Sequence, residues 1–270
     1  MKDIVENRRR ITLGKKIRLL LLVLQENGIV WCGAFLVYYV SSKISGTAFG
    51  WMDAMRRKHG IPGLNSKGLN KAIWEAWDWS AGGDEWTHSQ EWKDSVIRCV
   101  LEKHIPQGGS VLEIGPGGGR WTGSLISRAN RFTGVDISES CVAVCKEKFI
   151  NSPNASFEVG SGNDLSGISD ATLDAIWSFD VFVHINQAEV AAYLDDFKRV
   201  MKPGAVAVIH HGSTGGKLGG WRSDLTGEAM EKLLRDRGFV LQTSFKEWHD
   251  NGQTQPAGLY EDLITVFRRP

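Results

Sequence analysis

Short apolar runs alternate with amphipathic segments from residue 89 to the end of the chain. The amphipathic segments repeat their apolar side chains at helical spacing, and the short runs have the length of buried strands. The predicted helices cover residues 89–104, 120–129, 138–149, 188–201 and 226–237, and the predicted strands cover 111–114, 131–136, 155–159, 174–180, 205–210, 239–245 and 263–267. This alternation predicts an α/β protein with a Rossmann-like, doubly wound, seven-stranded and mostly parallel sheet.

The first 58 residues differ from the rest of the chain in charge and hydropathy. They carry a net charge of +7, against −6 for residues 59–270, and they include an apolar stretch at 19–40. This stretch has the roughly 20 residues that cross a bilayer, but a polar segment at 25–28 interrupts it. Three arrangements stay open for this N-terminal helical extension: a helical pair packed on the globular part, a membrane-surface helix that acts through residues 1–45, or a spanning helix.

Residues 59–104 form a second section, which is rich in aromatic side chains. Trp74 and Trp77 are separated by one helical turn, and Trp79 follows them closely. We predict that this section packs on the main domain as a cover, with a lid over a ligand as the alternative. The main domain itself is predicted over residues 105–270.

The overall composition excludes several classes of protein. Hydrophobic residues make up 42% and charged residues 23% of the 270 residues, which is typical of a globular chain. The net charge of +1 provides no basic field for nucleic acid, so no nucleic-acid partner is expected. The four cysteines form no CxxC pair and no closed set of metal ligands is visible, so we expect reduced thiols, no metal and a cytoplasmic location, with the inner face of a membrane as the variant.

A glycine-rich loop follows the first predicted strand and opens a helix. It contains Gly115, Gly117 and Gly119 and directly follows Glu113, while Asp136 ends the second strand. A strand, a glycine loop and a helix in this order bind nucleotides, and an acid at the end of the next strand can accept ribose hydroxyls. The two acids would repel a pyrophosphate, and no Gly-Lys-Ser/Thr step follows. A cationic ligand that carries a ribose therefore fits better.

Residues 105–267 resemble a class I S-adenosylmethionine-dependent methyltransferase. Residues 111–119 match the first motif of that family, residues 135–138 the second, Asp180 the fourth, and residues 199–204 the turn before the fifth strand. The resemblance implies that S-adenosyl-L-methionine is the cofactor and that the final strand is antiparallel.

The resemblance also assigns roles to individual residues. Glycines of the loop admit the amino-acid part of the cofactor, Glu113 orients the loop or the cofactor's ammonium, and Asp136 binds the ribose. Ile137 would touch the adenine, and the third motif departs from the family because Gly160-Ser161-Gly162 stands where an acid is usual. The cofactor-binding set is thus Glu113, Gly115, Gly117, Gly119, Asp136, Ile137, Ser161, Gly162, Asn163 and Asp180.

Histidines close to the predicted carboxyl ends of strands are candidates for the catalytic base. His184 follows Asp180 by four residues, so on a helical turn the carboxylate would share its face and orient the imidazole. His210 and His211 point to opposite faces if their strand continues, so at most one of them faces the pocket. The catalytic candidates are His184, Asp180, His210 and His211.

The narrower sequence pattern resembles bacterial methyltransferases of polysaccharide or glycolipid assembly. This likeness rests on Glu85-Trp86-Thr87, on residues 119–122, on residues 177–184 and on the His210-His211 pair. It implies O-methylation of a sugar or glycan hydroxyl. Methylation of another small molecule at oxygen or nitrogen, and a non-catalytic S-adenosylmethionine-binding subunit, are the alternatives.

Overall fold

The computed structural model describes residues 13–60, 63–216, 222–258 and 260–270, and it divides the chain into two compact units, Met1–Ile61 and Pro62–Pro270. The first twelve residues, which belong to the predicted membrane-contact segment, lie outside the described residues. The boundary between the units lies close to the predicted boundary between residues 58 and 59.

The N-terminal unit contains one long helix, α1 (Leu13–His59), which is kinked at Gly28. Gly28 has φ 78° and ψ 168°, a conformation that breaks helical hydrogen bonding and that glycine adopts without steric cost. The kink coincides with the polar interruption seen in the sequence. Within the described segments no helix has both the length and the apolarity that a bilayer span requires.

The second unit begins with a helical cover and continues as an α/β domain. Its helices are α2 (Lys67–Ala76), α3 (Gln90–Val96), α4 (Glu102–His104), α5 (Thr122–Arg128), α6 (Glu139–Lys148), α7 (Gln187–Val200) and α8 (Gly227–Asp236). A π-helical turn, Ile97–Leu101, joins α3 to α4, and three 3₁₀ turns occur at Gly63–Asn65, Trp79–Ala81 and Asp84–Trp86. The helix predicted over 89–104 is therefore present, with Ser89 as its N-cap.

The strands form the predicted seven-stranded sheet and one additional hairpin. They are β1 (Ser110–Ile114), β2 (Arg131–Asp136), β3 (Ala155–Val159), β4 (Leu173–Phe182), β5 (Met201–His211), β6 (Val240–Phe245), β7 (Glu247–Asp250), β8 (Gln253–Pro256) and β9 (Leu263–Arg268). The sheet order is β3-β2-β1-β4-β5-β9-β6, and β9 pairs antiparallel with both of its neighbours. The β7–β8 hairpin was not predicted, because its strands are short and half polar.

The apolar core lies in two clusters of buried side chains. One cluster includes Trp92, Trp121 and Trp177, and the other is built around α7 and includes Phe182 and Phe197. Side-chain caps fix where the helices begin: the Ser138 hydroxyl accepts from Cys141 N at 3.2 Å, and the Thr226 hydroxyl accepts from Ala229 N at 3.1 Å.

We expect Phe197→Ala to destabilise the α/β domain strongly. Phe197 is 0% exposed and packs against Phe267 at a ring distance of 6.3 Å, so truncation leaves a cavity. The expected loss is about 3–5 kcal/mol of unfolding free energy, measured by urea denaturation. Ile150→Ala, at a position that is 77% exposed, is the control and should change stability by less than about 0.5 kcal/mol. Equal losses for the two variants would contradict this account of the core.

Candidate functional site

The glycine loop between β1 and α5 is closely covered on several sides. Gly115, Gly117 and Gly119 all have positive φ values, of 69°, 54° and 82°. A Cβ on Gly115 would lie 2.3 Å from Val181 Cγ2, and one on Gly117 would lie 2.7 Å from Trp79 Cζ3. Side chains at these positions would therefore push β4 and the aromatic cover away from the loop.

Asp136 lies beneath the loop, at the end of β2. Its carboxylate accepts hydrogen bonds from Gly117 N at 3.1 Å and from Ser138 N at 2.9 Å, which ties the loop to the start of α6. Burial raises the pKa of Asp136 to about 6, even though these hydrogen bonds favour the charged form. The carboxyl group is therefore mostly ionised at neutral pH.

Glu113 is buried behind the loop. It is 1% exposed, and its carboxyl group accepts a 2.6 Å hydrogen bond from the Thr122 hydroxyl. Burial raises the pKa of Glu113 to about 8, so the group is largely protonated at neutral pH. Because Thr122 begins α5, this contact fixes the strand to the helix that follows the loop. The role that the resemblance assigned to Glu113, to orient the loop or the cofactor's ammonium, stays a prediction.

The cover helix α2 binds to the loops that follow three different strands. The Glu75 carboxylate accepts from Glu139 N at 2.9 Å and from Ser140 N at 3.1 Å, so it caps the start of α6. Lys67 Nζ donates to Asn163 Oδ1 at 3.2 Å, and Asn70 donates to the His184 carbonyl at 3.0 Å. The cover is thus fixed by polar contacts at the carboxyl ends of the sheet.

Four tryptophans of the cover form one aromatic cluster. The Trp74 ring centroid lies 5.8 Å from that of Trp77, 6.0 Å from that of Trp79 and 6.0 Å from that of Trp86. The His184 ring lies 5.5 Å from Trp74 in an edge-on arrangement. This cluster packs on the glycine loop through Trp79, and it also contributes to the wall of a cavity.

The cavity, of about 510 Å³, runs along the carboxyl ends of β1, β2 and β4. Of the residues predicted from the sequence, the structure places these on its wall: Gly115, Gly117, Asp136, Ile137, Gly162, Asp180 and His184. Six predicted residues lie outside the wall: Glu113, Gly119, Ser161, Asn163, His210 and His211. The Ser161 hydroxyl instead donates to Asp164 at 2.6 Å within its own turn.

Asp180 is bound by partners other than the one predicted. It belongs to strand β4 and has φ 61°. The prediction that a helical turn aligns Asp180 with His184 is therefore wrong. Its carboxylate forms an ion pair with Arg120 and lies 3.1 Å from His210 Nδ1. Burial acts to raise the pKa of Asp180, but the Arg120 charge and the contacts with His210 hold it well below its usual range.

His210 and His211 separate as the alternation of a strand requires. His211 is fully buried, and its ring nitrogens bond the Gly212 carbonyl at 2.8 Å and the Thr265 hydroxyl at 2.7 Å. Burial lowers the pKa of His211 to about 4, so the ring stays neutral and serves the packing of β5 against β9. His210 instead receives a 3.1 Å hydrogen bond from Asp180 N at Nδ1.

Several residues of the cavity wall were not predicted as site residues. Arg120 follows the glycine loop, its side chain is 6% exposed, and its Nη1 has no hydrogen-bond partner in the described part of the chain. Arg222, Tyr260 and Asp262 come from the C-terminal loops. Arg120 lies within residues 119–122, which the sequence analysis singled out, and its charge could have identified it. The three residues of the C-terminal loops carry no local sequence signal.

Comparisons with known proteins agree with this arrangement. Residues 111–204 match the model of the methyltransferase domain family. Solved structures share the fold. One is an S-adenosylmethionine-dependent methyltransferase from Aquifex aeolicus, with 18% identity, a TM-score of 0.52, and coverage of 71% of this chain and 98% of that one. Another is a Pyrococcus horikoshii protein, with 21% identity, a TM-score of 0.53, and coverage of 69% of this chain and 96% of that one.

A third structure is a methyltransferase in complex with the methyltransferase activator of Haloferax volcanii, with 18% identity, a TM-score of 0.52, and coverage of 69% of this chain and 97% of that one. The glycine loop and Asp136 lie within the matched residues 111–204. Residues 111–204 are therefore a methyltransferase domain, and this chain is an S-adenosylmethionine-dependent methyltransferase with S-adenosyl-L-methionine as its cofactor.

Proposed function

We propose that this enzyme methylates a hydroxyl group of a ring-shaped small molecule, and that a sugar or glycan is the preferred acceptor. The observation that carries the proposal is a single cavity that is bounded by the glycine loop and Asp136 and also by four tryptophans. Flat aromatic faces bury the apolar faces of ring compounds, while the charged groups of the wall provide hydrogen-bond partners. S-adenosylmethionine, when bound, supplies an activated methyl group.

The cofactor-binding role belongs to the loop side of this cavity. Gly115 and Gly117 leave room for the amino-acid part, Asp136 accepts from the ribose hydroxyls, and Ile137 touches the adenine. The unpartnered Arg120 Nη1 fits a carboxylate, because a buried guanidinium donor needs an anionic acceptor. The residues present thus match both the positive and the negative groups of an amino-acid-bearing nucleoside.

For the adenine we propose recognition by the loop after β3. Gly162 lies on the wall, and a Cβ there would come within 2.4 Å of Ile137 Cδ1, so a side chain would fill the place of the ring. Ser161 and Asn163 support the loop: Asn163 Oδ1 accepts from Lys67 at 3.2 Å and from the Ser161 hydroxyl at 3.2 Å. Backbone groups near Gly162 then replace the usual acid.

The catalytic base in this proposal is His184. It lies on the cavity wall in the turn after β4, and the Trp74 ring beside it limits its positions. A neutral imidazole can accept the hydroxyl proton while the oxygen attacks the methyl group. Asp180, although it lies on the same wall, is paired with Arg120 and so contributes position and charge.

The direct test is methyl transfer to defined acceptors. We would incubate the enzyme with S-adenosylmethionine and a set of methyl glycosides, and detect S-adenosylhomocysteine together with a sugar that has gained one methylene in mass. Amines of similar size test the alternative acceptor class. Binding of S-adenosylhomocysteine without turnover on any acceptor would favour the alternative of a non-catalytic subunit.

We further propose that α1 contacts an anionic membrane surface. Val30, Val37, Ile44 and Trp51 recur every seven residues after the kink, and their exposed fractions are 85%, 68%, 65% and 67%. This spacing places them on one stripe of the helix, and Lys15, Lys16 and Arg18 precede it in the sequence. An apolar stripe with neighbouring basic residues suits the interface of anionic lipids.

We expect Asp136→Ala to weaken S-adenosylhomocysteine binding by roughly 1.5–3 kcal/mol, because two ribose hydroxyls lose a charged acceptor. Isothermal titration measures this loss. Asp170→Ala, which removes an exposed carboxylate paired with Arg199, is the control and should leave the affinity unchanged. An unchanged dissociation constant in Asp136→Ala would contradict the ribose assignment.

The same titration should depend on pH. Since the pKa of Asp136 is raised to about 6, the carboxylate is ionised above pH 6 and becomes neutral below it. The affinity of the native enzyme should therefore fall as the pH is lowered from about 7.5 to about 5. Asp136→Asn should lose this dependence between the two pH values, and a retained dependence would assign it to another group.

His184→Ala should lower the turnover number by about 10²–10⁴, the usual contribution of a general base, with little change in cofactor affinity. The native rate should also fall with decreasing pH, because a protonated imidazole accepts no proton. His249→Ala removes an exposed histidine on β7 and serves as the control. A loss below tenfold with an unchanged pH profile would argue against His184 as the base.

Flotation with anionic liposomes tests the membrane proposal. The native chain should float with phosphatidylglycerol vesicles and remain at the bottom with phosphatidylcholine alone. Val30→Glu combined with Val37→Glu should reduce flotation, because two charges then interrupt the apolar stripe. If the double variant floats as well as the native chain, this stripe is not the membrane contact.

A further inference from the structure

A buried carboxylate outside the cofactor motifs also lies on the cavity wall. Asp262 is 3% exposed, and its Oδ1 forms an ion pair with Arg222. Its Oδ2 has no hydrogen bond within the described segments, and His210 Nε2, its ion-pair neighbour, is 3.8 Å away. A carboxylate oxygen that accepts no hydrogen bond and belongs to a residue on the cavity wall can accept one from a donor that enters the cavity.

The ring of His210 lies beside the Asp262 carboxylate. Asp180 N and Asp180 Oδ1 both lie 3.1 Å from His210 Nδ1, while Nε2, which has no hydrogen-bond partner among the described residues, faces Asp262. The ring stacks on Phe179 at a centroid distance of 4.2 Å, which holds it in place. His210 thus stands between Asp180 and Asp262, two carboxylates that share one cavity wall.

The loop before β9 leaves the space in front of Asp262 open. A Cβ on Gly258 would lie 2.7 Å from Asp262 Oδ2 and 3.1 Å from His210 Nε2. Gly258 itself lines the cavity, so the missing side chain is what gives a ligand access to this oxygen. A methyl group at this position would occupy the place of the donor.

The charge around Asp262 selects the kind of donor. Arg222 neutralises the carboxylate, and its guanidinium carbon lies 4.8 Å from the centre of the Tyr260 ring. Because the pair carries no net charge, a cationic amine gains little attraction there, whereas a neutral hydroxyl can still donate a hydrogen bond to Oδ2. The half-exposed Tyr260 ring adds an aromatic surface close to the same group.

We infer that Asp262 Oδ2 binds a hydroxyl group of the methyl acceptor, so that the acceptor is a ring compound with two or more hydroxyls: one receives the methyl group and another is held by Asp262. The inference rests on the proposed function and adds the substrate class. Asp262 is then a determinant of acceptor specificity, and His210 is the residue that positions it.

The test measures sugar binding separately from cofactor binding. The probes are the methyl α-glycosides of glucose, mannose, galactose and rhamnose, added to enzyme saturated with S-adenosylhomocysteine and followed by saturation-transfer NMR. The matched probe is 2-methoxytetrahydropyran, which has the same ring without hydroxyl groups. We expect at least one glycoside to bind the native enzyme and the matched probe to bind much more weakly.

Two variants then locate the hydroxyl. Asp262→Asn keeps the shape of the side chain, and Gly258→Ala keeps the charge but fills the space in front of Oδ2. Each should weaken binding of the glycoside about tenfold, the effect of one hydrogen bond to a charged group. Asp195→Asn removes another Arg-paired carboxylate, on the exposed face of α7, and should change nothing. The melting temperature shows whether each variant folds. If Asp262→Asn does not fold, the result for Gly258→Ala decides the test.

The outcomes separate the two proposals. Glycoside binding that is equal in the native enzyme and in a folded Asp262→Asn or Gly258→Ala variant would overturn the inference. Failure of all four glycosides to bind, or equal binding of the hydroxyl-free ring, would overturn it as well. A native enzyme that binds a glycoside through Asp262 but transfers no methyl group to it would count against the proposed function alone.

Discussion

Glycine at four of the five positions of the loop after β1, Gly115 and residues 117–119, is the constraint on which the cavity depends. Added Cβ atoms at Gly115, Gly117 and Gly119 would come within 2.3–2.7 Å of β4, the aromatic cover and the helix after β2, respectively. At Gly118 the clash would be with the backbone of Gly82, at 2.6 Å. Three different segments therefore approach one stretch of backbone, and they can enclose a ligand there because no side chain projects from its four glycines.

The charged groups of the wall are compatible with burial because they form a connected row. Arg120 pairs with Asp180, His210 lies between Asp180 and Asp262, and Arg222 completes the row. An isolated carboxylate in such a place would take up a proton, as the raised pKa of Glu113 shows. The Arg120 charge holds the pKa of Asp180 well below its usual range, and the wall presents Arg120 Nη1 and Asp262 Oδ2 without hydrogen bonds from the described residues.

Much of the fold could be predicted from the sequence, because local patterns encode it. Alternation of strands and helices gave the sheet, and the loop at residues 115–119 together with Asp136 indicated the cofactor side. The β7–β8 hairpin was missed because its strands are short and polar. The pairing of Asp180 was also missed: Arg120 and His210 reach it from elements that lie 60 and 30 residues away in the chain, a distance that no local pattern covers.

The same reason explains why the acceptor side of the cavity is hidden in the sequence. Arg222, Gly258 and Asp262 are ordinary loop residues in the sequence. They come together on the cavity wall only in the folded domain, where β9 pairs antiparallel with β5.

That pairing also separates two adjacent histidines. The pleat of β5 turns His211 toward Thr265 in the core and His210 toward Asp180 and Asp262. A shift of β5 by one residue would exchange these environments, and it would remove the His210 ring from its place between Asp180 and Asp262. The register of the antiparallel strand β9 against β5 therefore decides which of the two histidines lies beside Asp262, the residue that directly precedes β9.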